Sequence, residues 1–299
     1  MALEIVSNAL FKSKIKIDQD QINADFNFLL QRLMQRFKNP FQAPLWFPTL
    51  QNLKEKKAIK GLENVIYSVI RQKNEAEKGN LLEMLQNAVD EQTGETMSEK
   101  QIRDEAMTIF LAGHETSALS MAYSFLLFAQ NSDANQKIQT ELDQVLQGKP
   151  LTFEKTKDLV YLRQAIQESL RLYPPAHILI RRTLAPDQFG EYKIPANTNV
   201  IMSVYAMHRH PKYWEKPEVF LPERFENERF KQIPKFAYFP FGGGQRLCIG
   251  DQFAMTEMLV VLAVLLQKFS FENDNYQLEL DPMVTLHPKK DIILTLRKQ

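Results

Sequence analysis

The 299-residue chain is poor in several features that sort proteins into classes, and the scarcest is cysteine: there is one, Cys248. A single thiol excludes an internal disulfide framework and any zinc or iron–sulfur site of the usual Cys-rich kind, and it suits a reducing compartment. Charge of one sign is also lacking. Lys plus Arg number 37 against 36 Asp plus Glu, a net +1, so no global field draws the chain to nucleic acid or to an anionic membrane. Long apolar runs are missing too. The longest candidate, Met258 to Leu266, falls far short of the roughly 20 residues that span a bilayer. The opening MALEIVSNALF has neither the basic leading region nor the small-residue cleavage site of a secretory signal. Absence of repeats, low-complexity tracts and flexible linkers leaves one domain over 1–299, with a cytoplasmic location as the expectation.

What is plentiful is apolar material, 44% of the residues, enough for a substantial core. Residues 1–172 read as mostly helix. Leu3, Val6 and Leu10 stand at helical spacing with no capping residue ahead of them. Asp18 or Asp20 opens a helix carrying Phe26, Leu29, Leu30, Leu33 and Phe37, which the proline-rich NPFQAPLWFP at 39–48 ends. A helix is expected over 52–77. Ser98 followed by Gln101 makes a capping box for a helix running to about Gln130, about 45–50 Å long. Further helices are expected over 132–146 and 159–172, the latter stopped by Pro174 and Pro175. Residues 173–299 are mixed: extended runs HILIRRT, GEYKIP and TNVIMS, an irregular stretch over 211–240, an apolar helix over 251–267, and C-terminal strands including DIILTL at 291–296. The fold class expected is mainly α with small β-sheets.

The single cysteine sits in FGGGQRLCIG, Phe241 to Gly250. Glycines let the main chain turn sharply and approach a flat ligand closely. Cys248 falls just before a helix start, where backbone N–H groups and the helix dipole favour an anionic sulfur. With no second cysteine, one axial thiolate on haem iron remains open, and Arg246 is placed to pair with a haem carboxylate. A small buried hydrophobe in a glycine turn is the plainer alternative. GGGQRL satisfies neither the dinucleotide nor the P-loop pattern.

Two further constellations carry chemistry. At 112–116 the long helix reads AGHET. Glycine weakens a helix, and the Thr116 hydroxyl can bond the carbonyl of Ala112, so Ala112, Gly113, Glu115 and Thr116 can open the helix locally and form a short proton route. A surface glutamate beside a core threonine is the plain reading. In QESLRL, Glu168 and Arg171 stand at i and i+3, and PERF brings Arg224 into the irregular stretch. A carboxylate held by two arginines would anchor that stretch to the helix. A solvated pair is the alternative.

Together these residues resemble the cytochrome P-450 superfamily of haem-thiolate monooxygenases. FGGGQRLCIG resembles its F-x-x-G-x-R-x-C-x-G signature, AGHET its oxygen-activation motif, QESLR its E-x-x-R motif and PERF the partner motif, all in family order. HRHPKYWEKPEVFLPERF and YPPAHILIRRT are similar to family segments as well. The resemblance implies haem b with Cys248 as axial thiolate and metal ligand, and dioxygen as cosubstrate. It implies Phe241 packed beside the sulfur, Gly242 and Gly250 close to the cofactor, and Arg246 and Arg181 on haem propionates. Glu168, Arg171 and Arg224 become a structural triad. Ala112, Gly113, Glu115 and Thr116 fall on the distal haem face, with Thr116 and Glu115 handling protons for dioxygen activation.

The implied reaction is insertion of one oxygen atom into a hydrophobic small molecule, with electrons from a ferredoxin, flavodoxin or flavin reductase. The implied chain is a monomer that binds no nucleic acid. Similarity within the superfamily points to the fatty-acid- and xenobiotic-oxidising branch. A noncatalytic haem-binding sensor or carrier is the alternative, disfavoured by the acid–alcohol pair.

One departure shapes the expected architecture. The family's W-x-x-x-R helix has no counterpart, because the residues four beyond Trp46 and Trp214 are Leu50 and Glu218. With the uncapped start, this leads to the expectation of a C-terminal part of a longer chain, the N-terminal portion of the fold missing and the enzyme incomplete. A membrane anchor would belong to that missing portion.

Overall fold

The computed structural model describes residues 2–11, 19–39, 41–70 and 80–299, in two compact units, residues 1–115 and 116–299. Helices α1 (Ala2–Phe11), α2 (Gln19–Lys38), α3 (Leu50–Ile70) and α4 (Leu81–Asn87) lead to α5 (Glu99–Gln130), whose residues divide between the units. The core of the first unit gathers Val6, Ile22, Leu62, Ile66, Leu82, Ile102 and Phe110. Of the spacing read in α1, Val6 is buried, while the side chains of Leu3 and Leu10 lie outside the described residues, as do that of Phe37, residue Asp18 and positions 71–77 of the helix expected over 52–77.

Local signals explain most helix ends. The Ser98 amide donates to Gln101 Oε1 at 2.8 Å and the Gln101 amide to Ser98 Oγ at 3.3 Å, the reciprocal bonds of a capping box. Helix α4 escaped the sequence reading because seven residues are too few to show a period. Its start is nonetheless capped, Asn80 Oδ1 accepting from the Glu83 amide at 2.7 Å. Between α2 and α3 a polar knot forms: buried Arg32 donates from Nε to Glu55 at 3.2 Å and Arg36 reaches the same oxygen at 3.0 Å. Asn52 Nδ2 donates to the carbonyls of Pro44 and Phe47, each at 2.8 Å, and so fixes the proline-rich turn. A cavity of about 320 Å³ beside this turn is lined by Arg32, Gln42, Thr49 and Asn52 and holds none of the chemistry-bearing motifs.

The second unit contains α6 (Ser132–Leu146), α7 (Val160–Leu172), α8 (Val204–Met207), α9 (Asn227–Phe230) and α10 (Asp251–Leu266). Its four two-stranded antiparallel sheets pair β1 (Ile178–Arg182) with β4 (Asn199–Ser203), β2 (Asp187–Phe189) with β3 (Tyr192–Ile194), β5 (Phe269–Glu272) with β8 (Thr295–Lys298), and β6 (Leu280–Pro282) with β7 (Leu286–Pro288). The class is therefore mainly α with small sheets. Ile138, Leu142, Leu162, Ile166, Leu259 and Leu262 are fully or nearly fully buried at its centre. The Glu141 carboxylate accepts from the amides of Tyr161 and Leu162 at 2.6 and 2.9 Å, capping α7 from a neighbouring helix.

The last strand lies further along than its apolar pattern suggests. DIILTL at 291–296 was expected to pair, but β8 begins at Thr295, with Leu296 opposite Phe271 and Lys298 opposite Phe269. Pairing follows the backbone partner offered by β5 rather than the apolar run itself.

Candidate functional site

The site is built on a buried ion-pair centre. Glu168 and Arg171, both 0% exposed, face one another from the last turns of α7. Arg171 grips the carboxylate with two bonds, Nε to Oε2 at 2.7 Å and Nη2 to Oε1 at 2.8 Å. Glu168 Oε1 also accepts from the Leu221 amide at 2.9 Å and from Arg224 Nε at 3.3 Å. The other three guanidinium hydrogens of Arg171 go to the carbonyls of His208, Pro217 and Val219, and Arg224 Nη2 donates to the carbonyl of Lys216. Arg171 lies over the Trp214 ring, 5.1 Å from its centroid. Two guanidiniums thus gather four carbonyls of the 208–224 stretch around one carboxylate, and a segment without regular periodicity is held in place by charge-assisted hydrogen bonds.

The thiol loop follows. The Gly242 amide donates to the Phe239 carbonyl at 3.0 Å and the Cys248 amide to the Phe241 carbonyl at 3.0 Å, closing a tight loop. Gly242 at φ +77° and Gly244 at φ +69° occupy the left-handed region that side chains resist. A short 3₁₀ turn at Gly244–Arg246 carries the chain to Cys248, and Gly250 caps α10. The thiol is exposed. A Cβ placed on Gly250 would lie 3.9 Å from the sulfur, and one on Gly242 would lie 3.6 Å from Leu179 Cδ1. Strand β1 therefore reaches the loop at Leu179, and Arg181, two residues on, belongs to the same face of the strand. Arg246 and Arg181 are both exposed. Around the thiol, Leu247 and Phe253 are exposed and Ile249 is 91% exposed.

On α5, Ala112 is exposed and Gly113, His114, Glu115 and Thr116 are half-buried. The boundary between the two units falls between Glu115 and Thr116. The helix is α throughout Glu99–Gln130, without the local opening expected at AGHET. Packing gives the reason for the glycine: a Cβ at Gly113 would come within 3.3 Å of Val6 Cγ2, so the residue lets α1 approach α5 closely. Burial lowers the His114 pKa, against the Glu115 charge, and its ring meets Phe26 edge-on.

His208 and Glu257 are among the buried titratable groups that the sequence does not single out. His208 is 0% exposed and touches both the ion-pair centre and the approach to the thiol loop. Glu257 on α10 is buried, and that burial raises its pKa, with Ser117 acting in the opposite sense. One of the two histidines in HRHP and a lone glutamate ahead of an apolar run carry little signal until tertiary neighbours are known.

The Cytochrome P450 family model matches residues 1–295, and the chain belongs to the cytochrome P450 family. It is similar to Cytochrome P450 97B2, chloroplastic, of Glycine max, at 40% identity over 239 residues, 69% of this chain and 41% of that protein. To the Carotene epsilon-monooxygenase, chloroplastic, of Arabidopsis thaliana it is 43% identical over 184 residues, 60% of this chain and 34% of that protein. The crystal structure of the cytochrome P450DA heme domain matches with a TM-score of 0.90 at 27% identity, over 100% of this chain and 66% of that one. The chain thus spans less than half the length of these two curated relatives.

These matches correct two expectations, that the chain is recognisable only as a C-terminal part and that it has a P-450 fold with its N-terminal portion missing. The family pattern starts at residue 1 and the solved fold covers all of this chain, so the cytochrome P450 fold runs along its whole length. The fragment reading leaned on an uncapped α1 and an absent W-x-x-x-R. Ala2 and Val6 are buried at 6% and 3%, and tertiary packing of this kind holds a short helix without a cap. One missing motif does not measure the extent of a fold. Among the described residues no helix is long and apolar enough to cross a membrane.

The cofactor of this family is haem b on a cysteine thiolate, with dioxygen as cosubstrate. The residues present fit such a group. The chain offers one thiol, the exposed Cys248, on a surface where Leu247, Ile249 and Phe253 present apolar area suited to a large flat ligand. Two exposed guanidiniums, Arg246 and Arg181, suit its carboxylates.

Proposed function

We propose that the chain is a haem-thiolate monooxygenase that places one oxygen atom of dioxygen in a hydrophobic organic substrate, with electrons from a separate ferredoxin, flavodoxin or flavin reductase. The observation that carries this reading is a family match over residues 1–295 in a chain whose sole cysteine presents an exposed thiol on the loop before α10. When bound, haem supplies the redox chemistry of dioxygen activation. Cys248 is assigned as the thiolate donor, with Phe241 beside the sulfur. Arg246 and Arg181 are assigned to two carboxylates of the cofactor, and Gly242 and Gly250 keep the main chain low against it.

Thr116 holds a proton at its hydroxyl, and Glu115 passes protons inward from solvent. Ala112 and Gly113 keep that stretch of α5 small. The triad of Glu168, Arg171 and Arg224 takes no part in the chemistry and fixes the stretch that leads to the thiol. The carotene named for the Arabidopsis relative makes an extended, hydrocarbon-rich molecule the substrate class to try first. The testing experiment is the CO difference spectrum of the reduced, haem-supplemented chain beside a Cys248→Ala control. A red-shifted thiolate-type Soret band, lost in the control, is expected. No such band in the parent, or an equal band in both, overturns the assignment.

A further inference from the structure

His208 closes α8 and is 0% exposed. The Phe239 amide donates to its Nε2 at 2.9 Å, and its Nδ1 stands 3.2 Å from the Arg171 carbonyl oxygen. A backbone amide can only donate and a carbonyl can only accept, so these neighbours fix the tautomer: the proton sits on Nδ1 and Nε2 stays bare. The ring stacks on Tyr238, with centroids 5.2 Å apart at 23°, and meets Phe239 edge-on at 5.5 Å. Arg171 Nη1 donates back to the His208 carbonyl at 2.8 Å, so the two residues exchange hydrogen bonds. Tyr238 is tied to the same helix, its hydroxyl donating to the Gln167 carbonyl at 3.0 Å.

The hydrogen-bonded route continues to the thiol. Phe239, held by the imidazole, offers its own carbonyl to the Gly242 amide, and the Phe241 carbonyl accepts the Cys248 amide, each at 3.0 Å. We propose that His208 is a positioning residue for the thiolate loop, its bare Nε2 fixing the Phe239 amide and so the height and angle at which the Cys248 sulfur meets its cofactor. The inference rests on the haem-thiolate reading for what the sulfur does, and on hydrogen-bond geometry alone for what the histidine does. The ion-pair centre sets the frame, and His208 transmits its position across one imidazole to the loop.

Two variants separate this from simple packing. In His208→Gln the side-chain oxygen sits at the level of Nε2 and accepts the Phe239 amide. In His208→Asn the side chain ends at the level of Nδ1, keeping the Arg171 carbonyl bonded but leaving the Phe239 amide without its acceptor. Amide exchange at Phe239, Gly242 and Cys248 is measured in the haem-free chain and expressed relative to core amides of α10, so that a global loss of stability cancels. Alkylation of the Cys248 thiol by iodoacetamide is followed beside it.

The Asn variant is expected to exchange at these amides roughly tenfold faster, in line with one unmade buried hydrogen bond, and to change its alkylation rate, with the Gln variant staying near the parent. After haem loading, the Asn variant loses part of its thiolate-type Soret band and the Gln variant keeps it. Equal behaviour of the two variants overturns the proposal. Should neither fold, the ¹⁵N shifts of the His208 ring in the parent decide: a proton on Nδ1 supports the assignment and a proton on Nε2 overturns it. A parent with no thiolate band refutes the haem reading, while the exchange and ring-shift results still settle the role of His208.

Discussion

The centre built by Glu168, Arg171 and Arg224 and the loop at 241–250 are neighbours in the second unit, joined through His208, yet they dispose of their side chains in opposite ways. In the centre, charged groups are buried and satisfy one another: the carboxylate accepts four hydrogen bonds, Arg171 spends its three remaining donors on carbonyls, and Arg224 gives one more to the Lys216 carbonyl. In the loop, apolar side chains and the only thiol face outward, Ile249 being 91% exposed. A chain selected for stability alone would do neither, since burying charge is costly and apolar exposure forfeits burial. The difference separates frame from site. Charge-assisted bonds determine where an irregular segment runs, and the surface they hold out keeps its apolar side chains exposed rather than in the protein's own core.

The sharpest way to break this comparison is to remove one cation from the centre. Arg171→Met leaves Glu168 buried with Arg224 alone and strips three carbonyls of their donor. Loss of one member of a buried pair costs about 3–5 kcal/mol, and that loss is expected in the urea unfolding midpoint of the second unit. A loss under about 1 kcal/mol would show that the 208–224 stretch holds its course without the ion pair.

The sequence made this centre visible in part. Glu168 and Arg171 share a helix face by spacing, so their pairing was legible, and Arg224 was drawn in by PERF. The capping box at Ser98 and Gln101 and the ends of α6, α7 and α10 were legible for the same reason, because each is a local pattern within four residues. What stayed hidden depends on residues far apart in the chain. The contact of Gly113 with Val6, the capping of α7 by Glu141, the pairing that moves β8 to Thr295, and the bridge from Arg171 through His208 to Phe239 leave no periodic trace. The extent of the fold was misjudged because a motif's absence was weighed more heavily than the apolar pattern present from the first helix onward.

A smaller effect probes the bridge itself. Burial holds the His208 pKa down at about 3, with the charges of Arg171 and Arg209 adding to the depression and hydrogen bonds to the backbone of Arg171 and Leu170 opposing it. The unfolded chain takes up this proton near the ordinary histidine value of about 6.5, while the folded chain resists. The unfolded state therefore binds more protons below that value, and stability falls with falling pH. The contribution is fully present above about pH 6.5 and is lost progressively down to about pH 3, with a limiting slope of about 1.4 kcal/mol per pH unit. Unfolding midpoints followed between those limits should fall more steeply in the parent than in His208→Gln, where the lowered pKa values of His114 and His177 leave a smaller slope. A slope unchanged by the substitution would place the titrating group elsewhere.

The smallest expected effect sharpens the comparison from the side of the loop. Cys248 has an exposed thiol, its backbone amide is bonded whatever its side chain, and no buried partner is lost when the sulfur goes. Cys248→Ala should therefore shift the stability of the haem-free chain by no more than about 0.5 kcal/mol, the usual range for a surface substitution, while abolishing the thiolate-type spectrum. Such a split, large on the cofactor and near zero on the fold, is what separates a ligand from a structural thiol. A loss of 2 kcal/mol or so, the scale of a deleted buried side chain, would instead make Cys248 part of the packing and return the loop to the frame.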